Sequence, residues 1–112
     1  VLSQAVVEAA SRLELRTSVL CQVLGISQPT ASRLLHGRYQ IPPGTKTWEL
    51  AALFVRLYRA LFAMVGGNDE LARLWLASPN RAFGERAPAE LIQRIDGLLH
   101  ACDYVDAHRA RV

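Results

Sequence analysis

The side chains best suited to specific chemistry are concentrated between Ser27 and Arg38. The outward positions of this stretch hold hydrogen-bonding side chains, namely Gln28, Thr30, Ser32, Arg33 and His36. Arginine pairs bidentately with guanine, glutamine pairs bidentately with adenine, and hydroxyl groups bond to either base. Ser27 has the side chain of a helix N-cap, and free N–H groups at a helix start bind phosphate. Because Arg38 and Lys46 follow and neutralise further phosphates, the stretch predicts contacts to nucleic acid.

Two short helices joined by a sharp turn are predicted to hold these side chains. Apolar periodicity indicates one helix over Thr17–Leu24, ended by Gly25, and a second that begins after Ser27 and stops at Gly37. A helix-turn-helix needs a small residue where its helices cross, and Cys21 fits that place. The apolar residues that pin the helices together are Leu20, Leu24, Ile26, Ala31 and Leu34. We therefore expect a helix-turn-helix that reads the major groove of DNA; the alternative is a plain helical hairpin with a solvated face.

The distribution of charge points to a polyanionic partner for the first half of the chain. Residues 1–47 carry five basic side chains against two acidic ones, whereas residues 48–112 carry eight of each sign. The whole surplus of +3 therefore lies in the first half. This asymmetry is typical of a basic region that meets nucleic acid. It also predicts a division into a helix-turn-helix region over residues 1–47 and a second helical region over residues 48–112.

The rest of the chain predicts further helices and no strand, because β-branched residues are scarce and alternation is absent. A first helix is expected over about Ser3–Leu13, with Ser3 as its N-cap. The connector Tyr39–Gly44 contains two prolines and a glycine, which forbid a helix. Thr47 is then expected to cap a long helix over Trp48–Val65. Since this helix is apolar nearly all round, it belongs at the centre of a bundle.

Two more helical stretches follow the long helix. Asn68 is expected to cap a short helix over Asp69–Ala77, and Pro88 to open the last stretch, with Gly97 as its dividing residue. The apolar stripe of the last stretch consists of Ile92, Ile95, Leu98, Leu99, Cys102 and Val105. We predict an all-α fold in which an N-terminal helix-turn-helix bundle packs on a C-terminal helical domain.

Several classes of protein are disfavoured by the sequence. The apolar run Trp48–Val65 carries charges and falls short of the about 20 residues that a membrane span needs. The three histidines, His36, His100 and His108, form no recognisable catalytic arrangement. Moreover, the last two lie two helical turns apart, about 12 Å, which is too far for one metal ion. We expect neither an enzyme nor a bound metal or cofactor, and no membrane partner.

The cysteine usage favours a cytoplasmic protein. Cys21 and Cys102 both lie inside apolar helical patterns and make no disulfide framework, so they are expected to be small core residues in a reducing compartment. No stretch resembles a signal peptide. The chain begins at Val1 rather than Met, which leaves open a preceding piece of chain.

Several strings in the second half occur in an order and spacing that are similar to a known family. They are Trp48–Ala51, Val55–Leu61, Val65–Asn68, Trp75–Asn80, Pro88–Ile92, Gly97–Leu99 and Asp103–Arg109. This succession resembles the toxin-binding domain of the Xre/MbcA/ParS antitoxins, and the N-terminal helix-turn-helix resembles that of the same family. Together the likeness covers nearly the whole chain.

The resemblance implies a function that periodicity does not show. Antitoxins of this family neutralise a toxin with a RES domain, which consumes NAD⁺, by covering its active-site cleft. They also repress their own operon through the helix-turn-helix. The resemblance therefore implies an antitoxin of a type II toxin–antitoxin system, with a cognate RES-domain toxin and operator DNA as partners. The matching positions for toxin contact are Asp103, Tyr104, Asp106, Arg109 and Arg111.

The residue types at the C-terminal end also allow an interpretation that does not depend on the family resemblance. Its charged residues end a helix with no further chain to pack against, so they are either solvated or meet a partner. Tyr104 lies off the apolar stripe, and exposed aromatic residues favour interfaces. Two alternatives stay open: a stand-alone helix-turn-helix transcriptional regulator that dimerises through its C-terminal half, and a pure protein-interaction module. A homodimer is expected for DNA binding because operators are two-fold symmetric.

Overall fold

The structure, a computed structural model, describes residues 1–109, and most of them lie in helices. These residues form seven α-helices and no strand, which confirms the all-α prediction. The helices are α1 (Leu2–Arg12), α2 (Thr17–Leu24), α3 (Gln28–Leu35), α4 (Lys46–Met64), α5 (Asp69–Ala77), α6 (Pro88–Leu91) and α7 (Ile95–Arg109). A short 3₁₀ turn, Arg81–Phe83, lies between α5 and α6.

Helix α4 lies at the centre of the bundle, as its sequence predicted. It packs along α7 and also contacts α1, α2 and α5. Its side chains Phe54, Leu57 and Leu61 are at most 1 % exposed, and they share one continuous apolar core with Leu20 and Leu24 of α2. The two halves of the chain therefore fold around the same core. The predicted division between residues 47 and 48 falls inside α4 and stays a prediction.

Helix α1 begins one residue earlier than the sequence indicated. Its N-cap is Val1, so the expectation that Ser3 caps the helix is wrong. Ser3 is instead buried in the first turn, where its Oγ accepts a hydrogen bond of 2.9 Å from the N–H of Ile41. This bond fastens the connector that follows α3 onto α1.

Helix α4 also begins earlier than expected, because Thr45 rather than Thr47 is its N-cap. The Oγ1 of Thr45 accepts a hydrogen bond of 3.1 Å from the N–H of Trp48. Both threonines have a suitable side chain, and the apolar pattern alone does not distinguish them. The predicted caps Ser27 and Asn68 are confirmed, since their side chains accept from the N–H groups of Thr30 and Leu71.

The last helical stretch divides before Gly97 and not at it. Helix α6 ends at Leu91, α7 begins at Ile95, and Gly97 lies in the first turn of α7. A Cβ atom at Gly97 would lie 1.9 Å from the carbonyl oxygen of Leu91. The glycine therefore allows the start of α7 to approach the end of α6. The predicted apolar stripe is only partly buried, because Ile95 is 60 % and Leu99 44 % exposed.

Among the helices of residues 1–109, none taken singly has the length and apolarity that a membrane crossing needs. The pair α4–α5 meets those criteria jointly, but its two helices are bent by 114°.

Candidate functional site

Helices α2 and α3 form the predicted helix-turn-helix. Gly25 ends α2 with φ of 68° and ψ of 35°, a left-handed conformation that favours glycine. After the turn, the N–H of Ile26 donates a 3.0 Å hydrogen bond to the carbonyl oxygen of Cys21. Ala31 and Leu34 of α3 are at most 1 % exposed, so their burial fixes which side of α3 points outward. The inward set that the sequence predicted is buried except for Ile26, which is half-buried.

The start of α3 is held by a chain of hydrogen bonds between its own side chains. The Oγ of Ser27 accepts from the N–H of Thr30 at 3.2 Å and donates to the Oγ1 of Thr30 at 2.8 Å. The same Oγ1 accepts a 3.0 Å bond from Nη2 of Arg33. Ser27 and Thr30 therefore hold the helix start and restrain the Arg33 guanidinium. This restraint lowers the entropy that Arg33 loses on binding a base.

The outer side of α3 carries the side chains that the sequence singled out for DNA contact. Its exposed members are Gln28, Arg33 and His36, and Arg38 follows directly after the helix. No ion pair among residues 1–109 involves Arg33 or Arg38. Ser32 is half-buried, and its carbonyl oxygen accepts a 2.7 Å bond from Nδ1 of His36. We call this set with Ser27 and Thr30 the α3 face; that it contacts DNA stays a prediction.

Lys46 is a weaker candidate for phosphate contact than the sequence suggested. Its Nζ lies 3.6 Å from the Oε2 of Glu49, one turn further along α4. The lysine side chain is 91 % exposed, so the pair is loose. Even so, the nearby carboxylate of Glu49 reduces the electrostatic attraction between Lys46 and a distant phosphate.

A polar network joins the helix-turn-helix half to the second half. Nη1 of Arg12 donates to the Oδ2 of Asp69 at 3.2 Å, and the hydroxyl of Tyr58 donates to the Oδ1 at 3.1 Å. Nη1 of Arg73 donates to the carbonyl oxygen of Arg12 at 2.9 Å, and Nε of Arg73 pairs with Glu14 at 3.6 Å. The hydrogen bond to Asp69 raises the pKa of Arg12, and burial together with the same carboxylate raises the pKa of Tyr58. The end of α1 is thereby fixed to α4 and α5.

The charged end of α7 is not as free as the sequence suggested. Asp106 accepts a hydrogen bond from Nη2 of Arg56 on α4 and also pairs with Arg109 at 3.9 Å. The expectation that this helix end has no further chain to pack against is therefore wrong for Asp106. The bond to Asp106 raises the pKa of Arg56. Asp103 and Arg109 are exposed, and Arg111 lies outside the described residues.

Tyr104 is half-buried rather than exposed. Its ring lies 5.3 Å from that of Phe83 and 6.1 Å from that of Trp75, and it stacks on His108 at 3.9 Å. Trp75 of α5 and Phe83 of the 3₁₀ turn cover the side of α7 that carries Tyr104, which explains why Tyr104 is half-buried. His100 continues the cluster, since its ring lies 4.7 Å from that of Phe83. Tyr104 therefore offers a partner only its remaining exposed edge.

His100 and His108 make local contacts along α7. Nδ1 of His108 donates to the carbonyl oxygen of Tyr104 at 2.8 Å, and Nε2 of His100 donates to that of Ala82 at 2.9 Å. Over the described part of the chain, no group of three or more histidine, cysteine or acidic side chains is placed to hold a metal ion.

Both cysteines are free and buried, as the helical pattern predicted. The Sγ of Cys102 donates a weak bond to the carbonyl oxygen of Leu53 at 3.5 Å, across the contact between α7 and α4. Burial raises the pKa of the Cys102 thiol to about 11. The thiol is therefore protonated at neutral pH and serves as a packing group.

Two arginines on α4 were not among the sequence-predicted site residues. Arg56 and Arg59 are exposed, one turn apart, and face a groove that also contains Arg109. The sequence does contain a signal for them, because they are the charged residues within the apolar part of α4 that follows Glu49. The sequence does not show that Arg109 lies near them in the fold.

Comparison with known proteins gives two family matches that together span nearly the whole chain. Residues 1–56 match the antitoxin Xre-like helix-turn-helix domain. Residues 60–111 match the antitoxin Xre/MbcA/ParS C-terminal toxin-binding domain. The two matches meet within α4, which both halves use for their packing.

One curated relative and one solved structure are also similar to this chain. Antitoxin Xre of Yersinia enterocolitica serotype O:8 / biotype 1B is 33 % identical over 57 residues, which make up 51 % of this chain and 38 % of that protein. The match thus spans well under half of the relative's length. The crystal structure of the M. tuberculosis MbcT-MbcA toxin-antitoxin complex contains a chain with a TM-score of 0.73 and 24 % identity. The match covers 100 % of this chain and 96 % of that one, which shows a shared fold.

Proposed function

Because the chain belongs to the Xre/MbcA/ParS family of antitoxins, we propose that it neutralises a cognate toxin with an NAD-consuming RES domain and represses its own operon. The observation that carries the proposal is the pairing of an exposed α3 face with a C-terminal half that matches a toxin-binding domain. The similarity of the fold to a chain from a toxin-antitoxin complex supports a protein partner.

Toxin binding is assigned to the end of α7. The proposed contact residues are Asp103, Tyr104, Asp106, Arg109 and Arg111. Exposed side chains at Asp103 and Arg109 support this assignment, and the ion pairs of Asp106 pre-order the surface. The antitoxin acts by occupying the toxin's active-site cleft, so it needs no catalytic group and no cofactor of its own.

Repression is assigned to the α3 face. Arg33 and Gln28 are exposed, and their side chains are of the types that pair with guanine and adenine in the major groove. Arg38 is also exposed and, within residues 1–109, forms no ion pair that would compete with a phosphate. Two copies of the chain would read two half-sites about 34 Å apart, one turn of DNA. Exposed apolar residues are available for the dimer contact, namely Leu71 and Leu74 on α5 and Ile95 and Leu99 on α7. The cytoplasm is the compartment in which both proposed partners occur.

Co-expression with the product of the adjacent gene tests the proposal. We expect the toxin alone to stop growth and deplete NAD⁺, and the pair to grow normally and to purify as one complex. The Arg33→Ala variant is a matched control, because it alters the α3 face and should still rescue growth. A chain that purifies only with itself and leaves the toxin active would instead support a stand-alone regulator.

A further inference from the structure

A cluster of three arginines lies between α4 and α7. Arg56 and Arg59 extend from α4, and Arg109 extends from the last turn of α7. With Ala60 and Asp106 they line an open groove of about 540 Å³. The side chains of Arg56 and Arg109 are 55 % and 49 % exposed, so their guanidinium groups are accessible to another molecule.

The charges in this arginine cluster are not balanced. Among residues 1–109, Asp106 is the single carboxylate that lines the groove, and it already pairs with Arg56 and Arg109. No ion pair among residues 1–109 involves Arg59. Asp103 lies outside the lining but close enough to Arg56 to contribute to its raised pKa. Within the described part of the chain, the groove therefore holds three cations and one anion, and Arg59 is the cation that no carboxylate there pairs with.

We propose that the arginine cluster is a docking site for an acidic side chain of the toxin, with Arg59 as the residue that binds its carboxylate. The inference rests on the proposed function and extends the toxin surface from α7 onto α4. A guanidinium group presents paired N–H donors that match the two oxygens of a carboxylate. The hydrogen bond from Arg56 to Asp106 restrains the Arg56 guanidinium group, which lowers the entropic cost of binding.

The geometry favours a single carboxylate over the phosphates of DNA. A duplex presents a continuous line of negative charge, which would bring several phosphates close to Asp103 and Asp106 on α7. A lone acidic side chain can enter the groove beside Asp106 and bind Arg59. Furthermore, the helix that carries the α3 face packs against α1 and α2, whereas the arginine cluster lies on α4 and α7.

The inference is tested by measuring how tightly the Arg59 variants bind the toxin from the adjacent gene, compared with the wild-type chain. Arg59→Glu should weaken toxin binding about tenfold or more and Arg59→Gln about threefold, because close charge pairs couple strongly at interfaces. Arg81→Glu is the matched control, since its side chain is 95 % exposed on the 3₁₀ turn, and it should change toxin binding less than twofold. Calorimetry at low and high salt gives the affinities, and circular dichroism verifies folding.

The outcomes separate this inference from the function on which it rests. If wild type binds the toxin and Arg59→Glu binds it as tightly as Arg81→Glu does, the docking site is wrong and the antitoxin function stands. If Arg59→Glu loses affinity for operator DNA and keeps its affinity for the toxin, the groove binds phosphate and the inference is likewise overturned. If wild type binds no toxin, both proposals fail together.

Discussion

Arg12 and Asp69 lie 57 residues apart in the sequence and are joined by a 3.2 Å hydrogen bond in the fold. Asp69 also accepts the Tyr58 hydroxyl, so one carboxylate receives donors from α1 and from α4. Helix α1, which contacts α3 of the helix-turn-helix, is thereby fixed against the half that matches the toxin-binding domain. A toxin bound to one half would then have a defined position relative to DNA bound to the other.

We predict that Asp69→Asn destabilises the fold by about 1–2 kcal/mol, because it removes the charge that accepts two hydrogen bonds. The Asp69 side chain is 26 % exposed, so solvent screens only part of the loss. Glu70→Gln is the matched control: Glu70 is the exposed neighbour in the same turn, and the change should cost less than about 0.5 kcal/mol. Urea unfolding measures both values, and equal values would show that the network adds no stability.

The sequence predicted those parts of the molecule that depend on local patterns. Ser27, Gly25 and Asn68 each carry a cap or turn signal within a few residues, and each was placed correctly. Signals that depend on tertiary contacts were missed. The local sequence indicates Ser3 as a cap because nothing local reveals its bond to Ile41, which is 38 residues away.

The same limit applies to the candidate surfaces. The α3 face could be predicted because burial of Ala31 and Leu34 determines it within one helix. The pairing of Asp106 with Arg56 joins residues 50 apart, so no periodicity in α7 indicates it. Burial of Tyr104 depends on Phe83 and the 3₁₀ turn, which hydrophobic spacing along α7 cannot describe.

Arg33→Ala should weaken operator binding by about 1–3 kcal/mol and relax base preference at one position, because a bidentate contact to guanine is lost. Arg38→Ala should weaken binding to all sequences alike and lower the salt slope by about one unit, as expected for a phosphate contact. Fluorescence anisotropy with the upstream region of the gene and with scrambled DNA distinguishes the two effects. Unchanged affinity and specificity for Arg33→Ala would contradict the assignment of α3 as the recognition helix.

Gly97→Ala is expected to destabilise the fold by more than about 2 kcal/mol, because overpacking forces the backbone to shift. The added Cβ would lie 1.9 Å from the carbonyl oxygen of Leu91, and α6 and α7 would have to separate. Gly44→Ala tests the size of a purely conformational cost. Gly44 has a φ of 79° and no atom within 4 Å of an added Cβ, so about 1 kcal/mol is expected there. Thermal unfolding compares the two variants, and a smaller loss at Gly97 would show that this contact relaxes easily.

The stability of the fold should decrease between about pH 9 and pH 11 through the Cys102 thiol. Burial raises the pKa of this thiol from 9.0 to about 11, so the folded chain retains a proton that the unfolded chain releases. Rising pH therefore favours the unfolded state over this window. Because one pKa unit corresponds to about 1.4 kcal/mol, the free energy of unfolding should fall by on the order of 2 kcal/mol across the window. Cys102→Ala removes the titrating group, whereas Tyr58, whose pKa is also raised, titrates in both proteins and cancels in the comparison. Urea unfolding across this window should show a shallower decline for the variant. Parallel declines would mean that Cys102 contributes nothing to the alkaline instability.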